Sequence, residues 1–280
     1  MHDASPMTSS AVLKLSWPQT HGYWEIPVLF EDEHLLAVEK PAGLLTSPDR
    51  YDPDRPNLMR LLHTGISAGK TWARTRGIAY LANAHRLDFD TSGILLLAKN
   101  KAVLVKLVNL FATDKPKKRY VGLAQGTAKH EHFEVDAPLA PDPYKPGLMR
   151  IDMKNGKKSL TRFKVIENFA GYTLLECEPV TGRTHQIRVH LQHAGMPLVA
   201  DESYGGLPLF LSRLKPNYKF KRGAEERPLI KRVALHAFRL EMPHPVTGEP
   251  LVIDSPWPKD LRVAVKYLRK FAGALQFGGA

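Results

Sequence analysis

Two carboxylates, an arginine and a histidine fall within six positions at His85-Arg86-Leu87-Asp88-Phe89-Asp90, followed by Thr91-Ser92-Gly93. The apolar run at 94–98, closed by Lys99-Asn100, has the length and composition of a buried strand. Thr, Ser and Gly are turn formers, so the acidic pair sits in a loop that feeds into the core. An Asp in such a loop is most often a local cap. Ionisable groups this dense beside a buried strand are costly to desolvate unless they have partners or a task. Asp88 is therefore the candidate functional carboxylate. A metal held by His85, Asp88 and Asp90 would need further ligands, and no second histidine pair stands at ligand spacing, so no metal is expected. Asp88 and Asp90 as the carboxylate pair of a glycosidase is a further reading, which a basic surface does not suit.

The stretch Gly182-Arg183-Thr184-His185-Gln186-Ile187-Arg188-Val189-His190-Leu191 is the second concentration of functional side chains. Thr184 can cap a helix running to His193, stopped by Gly195 and Pro197. On that helix His185, Arg188 and Gln192 share one face, and Ile187, Leu191 and Ala194 another. Two Arg, three His and two Gln between 183 and 193 offer little of the Glu–Lys pairing of a merely solvated face. Arg188 reads better as the partner of an acidic group or a phosphate. The third stretch, Lys115-Pro116-Lys117-Lys118-Arg119-Tyr120, puts an aromatic ring beside a basic cluster. That combination lets a base stack while lysines meet phosphates. Segment 207–232 repeats it, with Tyr218 and Phe220 among eight Lys or Arg against two Glu.

The whole chain agrees with a polyanionic partner. Its 280 residues carry 40 Lys and Arg against 28 Asp and Glu, a formal charge of +12, which favours nucleic acid over a small neutral substrate. One cysteine, Cys177, excludes an internal disulfide framework. With no signal-peptide pattern and no apolar run of membrane-spanning length, a cytoplasmic protein is expected.

These stretches need a scaffold. Residues 1–24 are polar, with scattered Ser, Pro and Trp, and read as a loosely ordered arm ahead of one catalytic-sized domain at 25–280. Short apolar runs at 28–31 and 35–39 flank the turn Asp32-Glu33-His34 and predict a hairpin. A short helical piece is expected at 58–63, a helix capped by Asn100 to about Ala112, and a strand at 119–124. A second hairpin is expected from 161–167 and 172–178, and another strand at 235–242. A basic helix is expected at about 259–272, burying Leu261, Val265, Leu268 and Phe271. Hairpins with a few interposed helices argue an α+β fold on a mostly antiparallel or mixed sheet.

Taken together, His85-Arg86-Leu87-Asp88-x-x-Thr91-Ser92-Gly93 resembles the signature of the RluA-type pseudouridine synthases. Lys40-Pro41-x-Gly43, Lys118-Arg119-Tyr120, the 182–190 block, Asp201 with Tyr204-Gly205, and Leu235-His236-Ala237 resemble that family's other blocks in order. The resemblance covers about residues 26–255. It implies a bifurcated, mainly antiparallel sheet with flanking helices and a central cleft, and isomerisation of uridine in RNA to pseudouridine without cofactor or metal. It also implies that Asp88 is the catalytic aspartate, that Tyr120 stacks on the base and takes part in proton removal from C5, and that Arg188 pairs with the aspartate. Arg86 would fill the space left by the flipped base. Lys117, Lys118, Arg183 and His185 are the expected RNA contacts.

The chain departs from the family pattern in carrying Ala200 where Gly often precedes the aspartate. Residues 1–24 are also too short for an S4-type RNA-binding domain. Target choice would then rest on the catalytic domain, the basic insertion at 207–232 and the C-terminal helix, with a compact ribosomal or transfer RNA stem-loop as substrate and a monomeric enzyme. The alternatives are a non-catalytic RNA-binding assembly protein on the same fold and a nucleoside hydrolase. The intact set Asp88, Tyr120 and Arg188 favours the isomerase.

Overall fold

The computed structural model of the protein describes residues 12–17, 22–49, 52, 54–113, 115–219, 223 and 225–275. The N-terminal half begins with an antiparallel meander of β1 (Val12–Trp17), β2 (Gly22–Glu31) and β3 (Leu35–Lys40). The β2–β3 turn is closed by the Asp32 carboxylate, which accepts the His34 and Leu35 N–H groups, both at 2.7 Å. The expected loose arm over 1–24 is thus corrected for residues 12–17 and 22–24. Val12-Leu13-Lys14-Leu15-Ser16-Trp17 alternates, and its Leu13, Leu15 and Trp17 are buried, so tertiary pairing with β2 outweighs the polar flanks. Residues 1–11 and 18–21 lie outside the described residues.

Helices α1 (Leu58–Ser67), capped by the Asn57 side chain, and α2 (Thr71–Arg74) cover one face of this sheet. A short β4 (Ala82–Asn83) leads through the 85–91 loop into β5 (Ser92–Ala98). All seven residues of β5 are buried. The first layer of helices packs on Leu95 and Leu97, and α3 (Lys101–Phe111) packs on the opposite face at Ile94 and Leu96. A strand covered on both faces carries no polar alternation. Asn100 caps α3 by accepting the Val103 N–H, as expected.

The second half supplies β6 (Lys117–Gln125), β7 (His132–Asp136), the separate hairpin β8 (Leu139–Pro141) and β9 (Met149–Ile151), then β10 (Leu160–Phe169) and β11 (Tyr172–Pro179). Helices α4 (Gln186–His193) and α5 (Leu211–Leu214) precede the pair β12 (Leu235–Pro243) and β13 (Pro250–Asp254). Helix α6 (Lys259–Phe271) and a short β14 (Ala274–Leu275) close the described chain. One sheet runs through both halves in the order β1-β2-β3-β5-β12-β6-β11-β10-β14, with β4, β13 and β7 attached to β5, β12 and β10. Its pairings are antiparallel except β5 with β12. The fold is α+β on a mixed, mainly antiparallel sheet.

The parallel β5–β12 seam joins the halves, and it depends on Gly93. That residue adopts φ +118°, and a Cβ there would lie 2.2 Å from the Ala237 carbonyl oxygen. Only glycine lets the two backbones approach this closely. Helix α6 buries Leu261, Ala264, Val265 and Leu268 against β6 and β11 and turns Arg262, Lys266, Arg269 and Lys270 outward. Segment 207–232 is tied to it: Leu209 and Ile230 join the same core, and Arg232 grips Asp260 through two bonds of 2.9 and 3.0 Å. Phe220 lies outside the described residues.

Candidate active site

The loop before β5 is held from behind at alternate residues, His85, Leu87 and Phe89. The Asn83 side chain donates to the His85 carbonyl, and His85 Nε2 accepts the Leu96 N–H at 2.9 Å while its ring stacks on Phe111. Thr46 Oγ1 both accepts the Leu87 N–H and donates to the Leu87 carbonyl. The Phe89 carbonyl accepts from the Gly43 N–H at 2.8 Å and from the Lys40 ammonium at 3.4 Å. Lys40 is fully buried, and its Nζ also donates to the Pro41 and Leu44 carbonyls at 2.7 Å each. Burial lowers it to about 7, against the opposing pull of Asp88 and Asp90. Lys40 is a residue whose role sequence reading did not supply. Its motif was visible, but three backbone carbonyls leave no signature in a sequence.

Asp88 faces a cleft of about 320 Å³. Lys118 and Tyr120 enter it from β6, and His185 and Arg188 from the start of α4, while Arg86 and Arg183 also line it. Seven of the eight expected site residues therefore share one cavity. Lys117 does not. Strand side chains alternate, so Lys118 and Tyr120 point into the cleft while Lys117 and Arg119 take the other face. There Lys117 is exposed opposite Glu241, and Arg119 meets Glu176 and Glu241.

Asp88 stands at the electrostatic centre. Its charge acts at once on Lys40, Tyr120, His185, Arg188 and Tyr204. Burial, and then Asp88, raise the Tyr120 phenol far above its ordinary value, so it stays protonated at neutral pH. Burial lowers Lys118.

Arg188 corrects the expected pairing. Its guanidinium makes a bidentate bridge to Asp201, Nε to Oδ2 and Nη2 to Oδ1, both 2.7 Å, with the two side chains 5% and 1% exposed. The Tyr204 ring lies beneath it, 4.8 Å from the guanidinium carbon. Burial works against this cation, but Asp201 and then Asp88 more than offset it. The aspartate that binds Arg188 is thus Asp201, and Asp88 acts on Arg188 only through its field. Asp201 is presented by Ala200, which adopts φ 60°. A left-handed alanine costs about 1 kcal/mol, which explains why Gly suits this position and shows that Ala is tolerated.

Helix α4 also starts later than expected. His185, with φ 54°, is its N-cap in place of Thr184, and the Gln186 side chain accepts from the Arg183 N–H and the Thr181 hydroxyl. Gln192 stands one turn beyond Arg188 on the same face of α4 but is exposed, whereas Arg188 is buried.

Two imidazoles, one partly buried and one fully buried, make the site acid-sensitive. His85 is lowered to about 3, by burial first and then Lys118. His236, whose Nδ1 lies 2.9 Å from Ser92 Oγ, is lowered to about 4, by burial first and then Arg232. Unfolded histidine titrates near 6.5, so below that pH the unfolded chain binds more protons and stability falls as pH drops toward the folded values. At pH 5 each ring should cost about 2 kcal/mol. Thermal melts from pH 7.5 to 4.5 should show this decline. His85→Gln, which keeps an acceptor for Leu96, should flatten it, and an unchanged slope would exclude His85 as a source.

A mixed sheet thus carries a basic cleft around one carboxylate, an arrangement suited to a polyanionic substrate. The family model described as RNA pseudouridylate synthase matches residues 34–193. Ribosomal large subunit pseudouridine synthase D of Xanthomonas campestris pv. campestris is 35% identical over 263 residues, covering 90% of this chain and 73% of that protein. Ribosomal large subunit pseudouridine synthase C of Escherichia coli is 36% identical over 245 residues, covering 86% and 70%. Among solved structures, human RNA pseudouridylate synthase domain containing 4 matches with a TM-score of 0.64 at 23% identity, over 86% of this chain and 92% of that one. The chain belongs to the RNA pseudouridylate synthase family. It is an RNA pseudouridine synthase, an isomerase that converts uridine in RNA to pseudouridine.

Proposed function

We propose that Asp88 is the catalytic carboxylate of this enzyme and that its substrate is large-subunit ribosomal RNA. The observation that carries the first part is the convergence of Tyr120, His185 and Arg188 on Asp88 within one cleft. Relatives named for the ribosomal large subunit support the second.

Isomerisation breaks C1′–N1, forms C1′–C5, removes the C5 proton and returns a proton to N1. The target carbon is inaccessible in a stacked helix, so the uridine must leave the stack, at a cost of a few kcal/mol. Lys118 and Arg183 offset that cost at phosphates, and Arg86, exposed beside Asp88, fills the vacated space. The Tyr120 ring supports the uracil by stacking. Positive charge develops at C1′ as the glycosidic bond opens, and the Asp88 carboxylate meets it. Because Tyr120 rests as a phenol, it removes the C5 proton only if its own proton passes onward, and Asp88 is the nearby carboxylate able to receive it. The insertion at 207–232 supports target selection through Lys231 and Arg232, which line a second cavity sharing Arg188 with the cleft.

The test is release of tritium from RNA labelled at uridine C5. Release is expected from large-subunit ribosomal RNA and not from transfer RNA. Release from transfer RNA alone would overturn the substrate, and release from neither would count against the whole reading.

A further inference from the structure

The Tyr204 hydroxyl joins the β8–β9 hairpin to the cleft. It accepts the Met149 N–H at 2.9 Å and lies 2.8 Å from His185 Nδ1, while its ring lies beneath Arg188. Tyr204 is buried, and a phenol carries a single proton. Met149 approaches the oxygen as a donor, so the hydroxyl proton needs an acceptor. Among the described residues, His185 Nδ1 is the acceptor in reach. Were Nδ1 protonated, this buried hydroxyl would face two donors and keep its own proton unpaired, which is expensive. The imidazole proton therefore sits on Nε2.

Nothing among the described residues meets Nε2, and the ring lines the cleft. Burial lowers His185 against the opposing pull of Asp88, with Arg188 also lowering it, so the ring is neutral at ordinary pH. Its backbone is left-handed, φ 54°, where Gly or Asn is more comfortable. Strain of this kind persists where the surroundings over-determine a conformation, and here Tyr204 supplies part of that constraint.

We infer that Tyr204 fixes His185 as an Nε2–H donor, and that His185 gives this hydrogen bond to an oxygen of the extruded nucleotide, a uracil carbonyl or a phosphate oxygen. The inference rests on the cleft being the uridine site. It makes His185 a substrate-contacting residue and Tyr204 a positioning residue.

The test has two readouts. In the full-length protein labelled with ¹⁵N-histidine, the His185 resonances, identified by their loss in His185→Gln, should show the Nε2–H tautomer. Tyr204→Phe, which keeps the ring beneath Arg188, should give a mixture of tautomers. An Nδ1–H ring in the wild type overturns the lock, with or without catalysis.

The second readout is C5 tritium release. Tyr204→Phe and His185→Leu should each lower kcat by about tenfold, and the pair together no further than His185→Leu alone. His185→Gln, whose amide can reach the Nε2 position, should recover part of the loss. Substrates with sulfur at uracil position 2 or 4, or a methylphosphonate beside the target, identify the oxygen. The modification that weakens the wild type but not His185→Leu marks the contact. If each weakens both equally, His185 donates to none of them and the contact is refuted. A correct tautomer in a wild type that releases no tritium would leave the lock standing and remove the reading of the cleft.

Discussion

Asp88→Asn is expected to stop C5 tritium release, lowering turnover by about four orders of magnitude or more. RNA affinity should stay within about threefold, because phosphate contacts dominate it and the variant keeps them. Asn is isosteric, so the loop should keep its shape. That loop is held through the backbone and carbonyl contacts of Leu87 and Phe89, the His85 ring, and the Thr91 N–H to Asp88 carbonyl bond at 3.2 Å, none of which uses the Asp88 carboxylate. The melting temperature should therefore move little. A neutral amide cannot meet the positive charge at C1′ or receive a proton from Tyr120. Residual turnover within tenfold of the wild type would show that the reaction does not pass through this carboxylate.

The parts of this site readable from sequence are those set by local rules. The unbroken apolar run at 94–98 announced a strand buried on both faces, and the polar cluster before it announced the loop. Asn100 capped its helix because capping is a three-residue contact. Lys118 and Tyr120 were legible as neighbours of a base. Strand alternation, applied there, would have excluded Lys117 as well. What stayed hidden depends on distant chain segments. Val12–Trp17 alternates, but only pairing with β2 makes that alternation a strand. The Arg188–Asp201 bridge depends on the left-handed turn at Ala200, and the Tyr204–His185 bond on a left-handed residue at the head of α4. Neither backbone state follows from an alanine or a histidine in a sequence.

The Arg188–Asp201 bridge sets the second large effect. Arg188→Ala strands the Asp201 carboxylate, 1% exposed, without its counterion. Breaking a buried pair from one side costs about 3–5 kcal/mol, so this variant should unfold well below the wild type. Turnover should also fall, by about a hundredfold or more, because the guanidinium that lines the cleft with Asp88 and interacts with its charge is gone. The two losses are separable. Arg188→Met combined with Asp201→Leu removes both charges and fills the space with apolar side chains, which for buried pairs is often neutral or stabilising. The double variant should regain most of the stability and none of the activity. Asp201→Leu alone should lose both, because Arg188 is left charged, buried and free to swing toward Asp88. Arg188→Lys keeps the charge but cannot form the bidentate bridge or the planar stack on Tyr204, and should fall between. Melting curves and C5 tritium release across the cycle decide the matter. Recovery of activity with stability in the double variant would make Arg188 a purely structural residue.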